Sequence, residues 1–147
     1  MFKRILCPTD LGERSFTALE KAVQIAHQFN SKIIMLNIHD EFMDEKERQM
    51  LRVSVNEIKE KFAKTARESK EKMRDRIKRL HAEDIDIEYV LREGKPEKTI
   101  AEYANGHDID LIVISTDGRD NLKDFVTGTI TEHVINEAKC PTLVIPF

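Results

Sequence analysis

The sequence predicts a single α/β domain spanning residues 1–147, in which a five-stranded parallel sheet carries helices on both faces. Three observations predict it. Apolar runs of strand length alternate with stretches of helical spacing along the whole chain, and such alternation implies parallel strands joined by helical crossovers. The run at 111–114, LIVI, is continuously apolar, as in a strand buried on both faces. A length of 147 residues with 40% hydrophobic content suits one core.

Each element has its own signal. Residues 3–8 (KRILCP) read as a short buried strand. Residues 14–29 read as a helix, because Phe16, Leu19, Val23, Ala26 and Phe29 recur at spacings of three and four. Residues 31–38 (SKIIMLNI) are a second strand. Residues 41–81 are dense in charge, yet Leu51, Val55, Ile58, Phe62, Ala66, Met73, Ile77 and Leu80 keep a helical stripe. One long amphipathic helix is expected there, with a flexible lead at 41–46. In the third strand, 85–91, apolar Ile85, Ile87, Tyr89 and Leu91 alternate with Asp86, Glu88 and Val90, which predicts a more exposed face. Pro96 suits the first turn of a helix over 96–105, and Asn105-Gly106 reads as its stop. A fourth strand over 110–115, a helix over 129–138 and a terminal strand over 142–145 complete the chain.

Composition narrows the function. Charged residues make up 35% of the chain with a net charge of -3, so no basic footprint marks nucleic acid as a partner. No apolar stretch approaches the ~20 residues that span a bilayer. The N-terminus MFKRILCPTD lacks the apolar region and cleavage site of a signal peptide, and a cytoplasmic protein is expected. Cys7 and Cys140 lie far apart without CxxC spacing, which argues against a disulfide framework or a zinc site. Cys7, within an apolar run, reads as a small packing residue.

Ligands of parallel sheets sit beyond the carboxyl ends of the strands, at the topological switch point. The ends to watch are therefore Pro8-Thr9-Asp10, Ile38-His39-Asp40, Arg92-Glu93-Gly94 and Ser115-Thr116-Asp117. After the last of these comes STDGRDNLKDFVTGT, a glycine-punctuated loop that leads into a helix. Glycines let backbone approach a ligand, and the free N–H groups of a helix start point at an anion.

At these strand ends the chain resembles the universal stress protein family over almost its whole length. ILCPTD with Gly12, Glu13 and Ser15 is similar to the family's first strand and turn. GKPEKTIAEYA resembles its Gly-x-Pro helix start, DLIVIS its fourth strand and KCPTLVIP its last. The nucleotide-binding members carry Gly-x2-Gly-x9-Gly-Ser/Thr, and Gly118, Gly128 and Thr129 fall in that register. The resemblance implies a Rossmann-like domain of the adenine-nucleotide alpha hydrolase kind that binds ATP, with ADP or AMP as alternatives, and Mg²⁺ accompanying the nucleotide. It places Asp10 at the ribose or adenosine side, with Pro8 and Thr9 lining that pocket. Ile38 would offer its backbone to the adenine edge, Ile114 and Ser115 would lie under the adenosine, and Gly118, Gly128, Thr129 and Ile130 would surround the phosphates. Arg119 and Lys123 either neutralise phosphate charge or stand as solvated loop cations.

Two positions depart from the family pattern. Ser115 replaces the first signature glycine. It is costly, about 1 kcal/mol or more, if the backbone there needs positive φ, and harmless if φ is strand-like, where its hydroxyl can bond the ribose. Asp117 stands where histidine or arginine is common; Asp10 and Asp117 together have the ligand chemistry for Mg²⁺.

No Walker loop, GxGxxG or GxSxG motif occurs, and no nucleophile–base pair can be argued. His39 alone among the histidines falls near the expected cleft, as a rim residue. At most slow ATP hydrolysis is expected. The resemblance implies a homodimer through the terminal strand, Thr142–Ile145, and a stress-response regulator with a protein partner of unknown identity. The alternative is a dimeric interaction module that binds no nucleotide.

Overall fold

The apolar runs pair as five parallel strands. The computed structural model describes residues 1–39, 45–116 and 130–146. The strands are β1 (Arg4–Thr9), β2 (Lys32–His39), β3 (Ile87–Glu93), β4 (Leu111–Ser115) and β5 (Thr142–Ile145), and the sheet order is β3-β2-β1-β4-β5. β1 lies at the centre. It pairs with β2 from Arg4 opposite Lys32 to Thr9 opposite Asn37, and with β4 through Ile5 opposite Leu111 and Leu6 opposite Ile112.

Side-chain alternation sends each strand's residues to two cores. Ile5, Cys7, Ile33, Met35, Leu111 and Val113 pack beneath helix α1 (Glu13–Phe29) and Met73 and Ile77 of helix α3 (Val55–Arg79). Leu6, Ile34, Leu36, Ile112 and Ile114 pack under helix α4 (Pro96–Gly106) and helix α5 (Ile130–Glu137). Burial on both faces is the reason these strands read as continuous apolar runs. Each fully buried Leu or Ile contributes about 1.5–3 kcal/mol over an exposed one.

The charged segment does not form one helix. A short helix, α2 (Glu45–Leu51), precedes α3, and Arg52 between them has φ 55°. The break has a local cause. Ser54-Val55-Asn56-Glu57 is a reciprocal cap: Glu57 N–H donates to Ser54 Oγ at 3.1 Å, and Ser54 N–H donates to Glu57 Oε2 at 3.1 Å. A new helix start thereby satisfies two N–H groups that a continuous helix would bond to its own preceding turn. Residues 41–44, part of the expected flexible lead, lie outside the described residues, and 45 and 46 belong to α2.

Smaller boundary shifts follow from similar causes. β3 begins two residues later than the alternation suggested, because Ala82 to Ile85 closes a turn through Ile85 N–H to Ala82 O at 3.1 Å. α4 continues through Gly106, so Asn105 is not its stop. The Asn105 side chain serves α5 instead: Nδ2 donates to Glu137 O at 3.0 Å, and Oδ1 accepts from Lys139 N–H at 2.9 Å.

Candidate functional site

The chain runs from β1 outward to β3, then returns to place β4 on the other side of β1. The switch point thus falls between the carboxyl ends of β1 and β4, and a cavity of about 120 Å³ opens there, room for several waters or a small ring system. Seven of the eleven residues expected at the site line it: Pro8, Thr9, Asp10, Ile38, Ile114, Ser115 and Ile130. The other four, Gly118, Arg119, Gly128 and Thr129, lie outside the described residues, as do Asp40, Asp117 and Lys123.

The cavity is an apolar slot with a few polar groups, the usual character of a small-molecule site. Leu36, Ile38, Pro96, Ile100, Ile114 and Ile130 supply its apolar walls. Pro96 and Ile100 are placed by the start of α4, which is fixed through Gly94. Gly94 has φ +138° and donates its N–H to His39 O at 2.9 Å, tying the α4 entry to the end of β2. A Cβ at Gly94 would stand 2.7 Å from Thr99 Oγ1, so both backbone and space require glycine. His39 is exposed at the β2 terminus and does not line the cavity.

The polar wall is built by the turn after β1. Leu11 N–H donates to Thr9 Oγ1 at 2.9 Å, Thr9 and Ser15 hydroxyls meet at 2.8 Å, and Ser15 Oγ donates to Gly12 O at 2.9 Å. Each hydroxyl has one proton. Since that of Ser15 goes to Gly12 O, Thr9 must be the donor to Ser15, and the chain of bonds has a single direction. Asp10 turns its Oδ1 back to accept Gly12 N–H at 2.8 Å. Gly12 makes this possible, because a Cβ there would press to 3.0 Å from Asp10 Oδ1.

Ser115 closes β4. Its residue is paired in register with Ile145, and it is not among the described residues with positive φ. The backbone is therefore strand-like, and serine in place of glycine carries no conformational cost here. Thr131, in the first turn of α5, donates to Ser115 O over a long 3.4 Å.

Sequence reasoning did not assign Ser15, Leu36, Pro96, Ile100 or Thr131 to the pocket. Ser15 and Pro96 were visible as motif residues, whereas Leu36 and Ile100 look like any core residue in sequence. Among the described residues no group of three or more His, Cys, Asp or Glu is placed to hold a metal ion. None of the helices among them is long and apolar enough to cross a membrane.

The profile of the Universal stress protein family matches residues 1–146. The chain belongs to the universal stress protein family. This universal stress protein is 29% identical over 155 residues to Universal stress protein MJ0577 of Methanocaldococcus jannaschii, covering 99% of this chain and 95% of that one. It is 27% identical over 146 residues to Universal stress protein MJ0531 of the same organism, covering 99% and 82%. Among solved structures, that of MJ0577 superposes with a TM-score of 0.75 at 28% identity, covering 100% and 97% of the two chains. UspA from Lactobacillus plantarum superposes at 0.76 with 25% identity, covering 98% and 97%. The five-stranded parallel α/β fold expected from the sequence is the family's fold.

Proposed function

We propose that this universal stress protein binds an adenine nucleotide, ATP in the first place, at the carboxyl edge of its sheet, and acts in the cytoplasm as a homodimeric regulator of a stress response. The observation that carries the reading is the cavity at the β1–β4 switch point, lined by each described residue that the family resemblance had placed at the nucleotide. Other solved universal stress proteins are in complex with cAMP and with dAMP. At 22% and 18% identity those establish a shared fold, so the weight rests on this chain's own pocket.

In this reading the apolar slot between Ile38, Pro96 and Ile100 takes the flat base. The turn at Asp10 takes the sugar, and Gly118, Gly128, Thr129, Ile130 and Arg119 take the phosphates. Mg²⁺ arriving with ATP would be held chiefly by phosphates, with Asp10 the described carboxylate at the cavity. The dimer would form at β5, an edge strand whose own Leu143 is exposed, as is Ile135 on α5.

Calorimetric titration with Mg-ATP tests the reading. Saturable heat is expected, and Ile130→Trp, which fills the slot, abolishes it. Absence of heat at millimolar nucleotide sinks it in favour of the second reading, a dimeric interaction module. That reading has an observation of its own: Met50, Leu51 and Val55 are exposed together around the α2–α3 break.

A further inference from the structure

The polar side chains of the cavity are mostly occupied with one another. The hydroxyl proton of Ser15 goes to Gly12 O, and that of Thr9 to Ser15. Thr131 donates to Ser115 O, and Oδ1 of Asp10 holds Gly12 N–H. Among the side-chain atoms of the lining, the hydroxyl of Ser115 and Oδ2 of Asp10 have no partner among the described residues. Ser115 is only 9% exposed, yet no sealed side-chain nitrogen or oxygen among the described residues lacks a partner. Its hydroxyl therefore reaches open space, and the space that Ser115 lines is this cavity.

The side of the sheet is also fixed. Alternation along β4 puts Leu111 and Val113 in the core beneath α1, with Ile112 and Ile114 in the core beneath α4. Ser115 follows Leu111 and Val113, and so faces the α1 side, where Thr9 bonds Ser15 and the Asp10 turn begins. One uncommitted hydroxyl and one uncommitted carboxylate oxygen thus stand at the same polar end of an otherwise apolar slot. A carboxylate oxygen accepts a proton, and a serine hydroxyl both donates and accepts. A pair of ligand hydroxyls complements both, whereas a phosphate, which only accepts, would meet the negative charge of Asp10.

We propose that Ser115 is a specificity residue of this site: its hydroxyl bonds one hydroxyl of the ligand's sugar while Asp10 bonds the other, so that the protein selects ribonucleotides over their deoxy counterparts. The proposal rests on the nucleotide reading above. It assigns to this chain a contact that a signature glycine at this position cannot make, because glycine has no side chain to donate or accept with. Ser115 is buried while Asp10 is exposed, so the cost of leaving a group without its partner, which gives such sites their discrimination, falls chiefly on Ser115.

The test compares ATP, 2′-deoxy-ATP and 3′-deoxy-ATP by calorimetry on the full chain with Mg²⁺. The wild-type protein is expected to bind each deoxy analogue about tenfold more weakly than ATP, the loss of about one hydrogen bond. Ser115→Ala should remove the penalty for one analogue, bringing it within about twofold of ATP, and leave the other penalty in place. Ser115→Gly, which restores the family residue, should do the same and guards against a folding defect in the alanine variant. Should both penalties persist in the two variants, or neither exist in the wild type, the Ser115 assignment is wrong while nucleotide binding stands. If none of the three nucleotides binds the wild-type protein, the nucleotide reading itself fails.

Discussion

Asn37 on β2 donates its side-chain Nδ2 to Ser69 Oγ on α3 at 2.8 Å, with both residues buried at 7% and 2% exposure. α3 is otherwise a largely solvated helix that touches the sheet through Met73 and Ile77. The bond therefore fixes where along the helix it docks. Ser69→Ala should destabilise the fold by about 1–3 kcal/mol, since it leaves a buried amide without its partner. Combining it with Asn37→Leu should cost less than the sum of the two single changes, and urea unfolding of all three variants measures the difference.

Gly94→Ala should be among the most damaging small changes near the site. Both its φ of +138° and the 2.7 Å approach to Thr99 Oγ1 oppose a side chain. A loss on the order of 1–3 kcal/mol is expected, and Thr99→Ala should restore only part of it, because the backbone strain remains. Since Gly94 sets the entry of α4, nucleotide affinity should fall with stability; thermal melts with and without Mg-ATP report both.

The cap at Ser54 predicts a smaller, local effect. Ser54→Ala removes one side of the reciprocal pair with Glu57 and should cost about 1 kcal/mol. Hydrogen exchange should show the loss concentrated at the start of α3. A Ser54→Asp variant, which keeps an acceptor there, should stay close to wild type.

The two cysteines should behave differently. Cys7 is fully buried, and burial pushes its thiol from 9.0 up to about 12; Cys140 is partly exposed, with a thiol that burial raises less completely. A disulfide reagent at neutral pH should modify Cys140 readily and Cys7 only at the rate of global unfolding. The alkaline branch of stability follows from the same burial. Below pH 9 both folded and unfolded chains keep the Cys7 proton. Between pH 9 and about 12 only the unfolded chain releases it, so stability falls by up to about 1.4 kcal/mol per pH unit. Cys7→Ala should make that branch shallower without removing it, because burial also raises Tyr89 and Tyr103; chemical denaturation at pH 8 and pH 10.5 measures the change.

Much of this architecture is legible in the sequence because its strands are buried on both sides. LIVI and KIIML leave no other reading once helical stretches separate them, and the terminal strand was located to the residue. What escaped was chemistry that competes with a pattern. The apolar stripe across residues 51–80 continues through the α2–α3 break, but backbone N–H groups at Ser54 and Glu57 follow their side-chain partners, not the stripe. Asn105 looked like a helix stop because asparagine often is one; its amide is used instead by a helix distant in sequence, which no local window reveals. At the site, Pro8, Thr9, Asp10 and Ser115 were legible from their place at strand ends. Leu36 and Ile100 were not, since an apolar residue facing a cavity has the same sequence environment as one facing a neighbour.

The amide of Asn105 has a mechanical consequence. It clips the far end of α5 to the far end of α4, while the near ends of the same two helices supply Ile130, Thr131, Pro96 and Ile100 to the cavity. The pair is therefore a forked lever with its tines at the slot and its rivet at Asn105. A molecule wedged between the tines cannot spread one helix without loading the rivet, so the width of the slot is set jointly by both helices, and a residue beyond the reach of any ligand helps to hold its gauge.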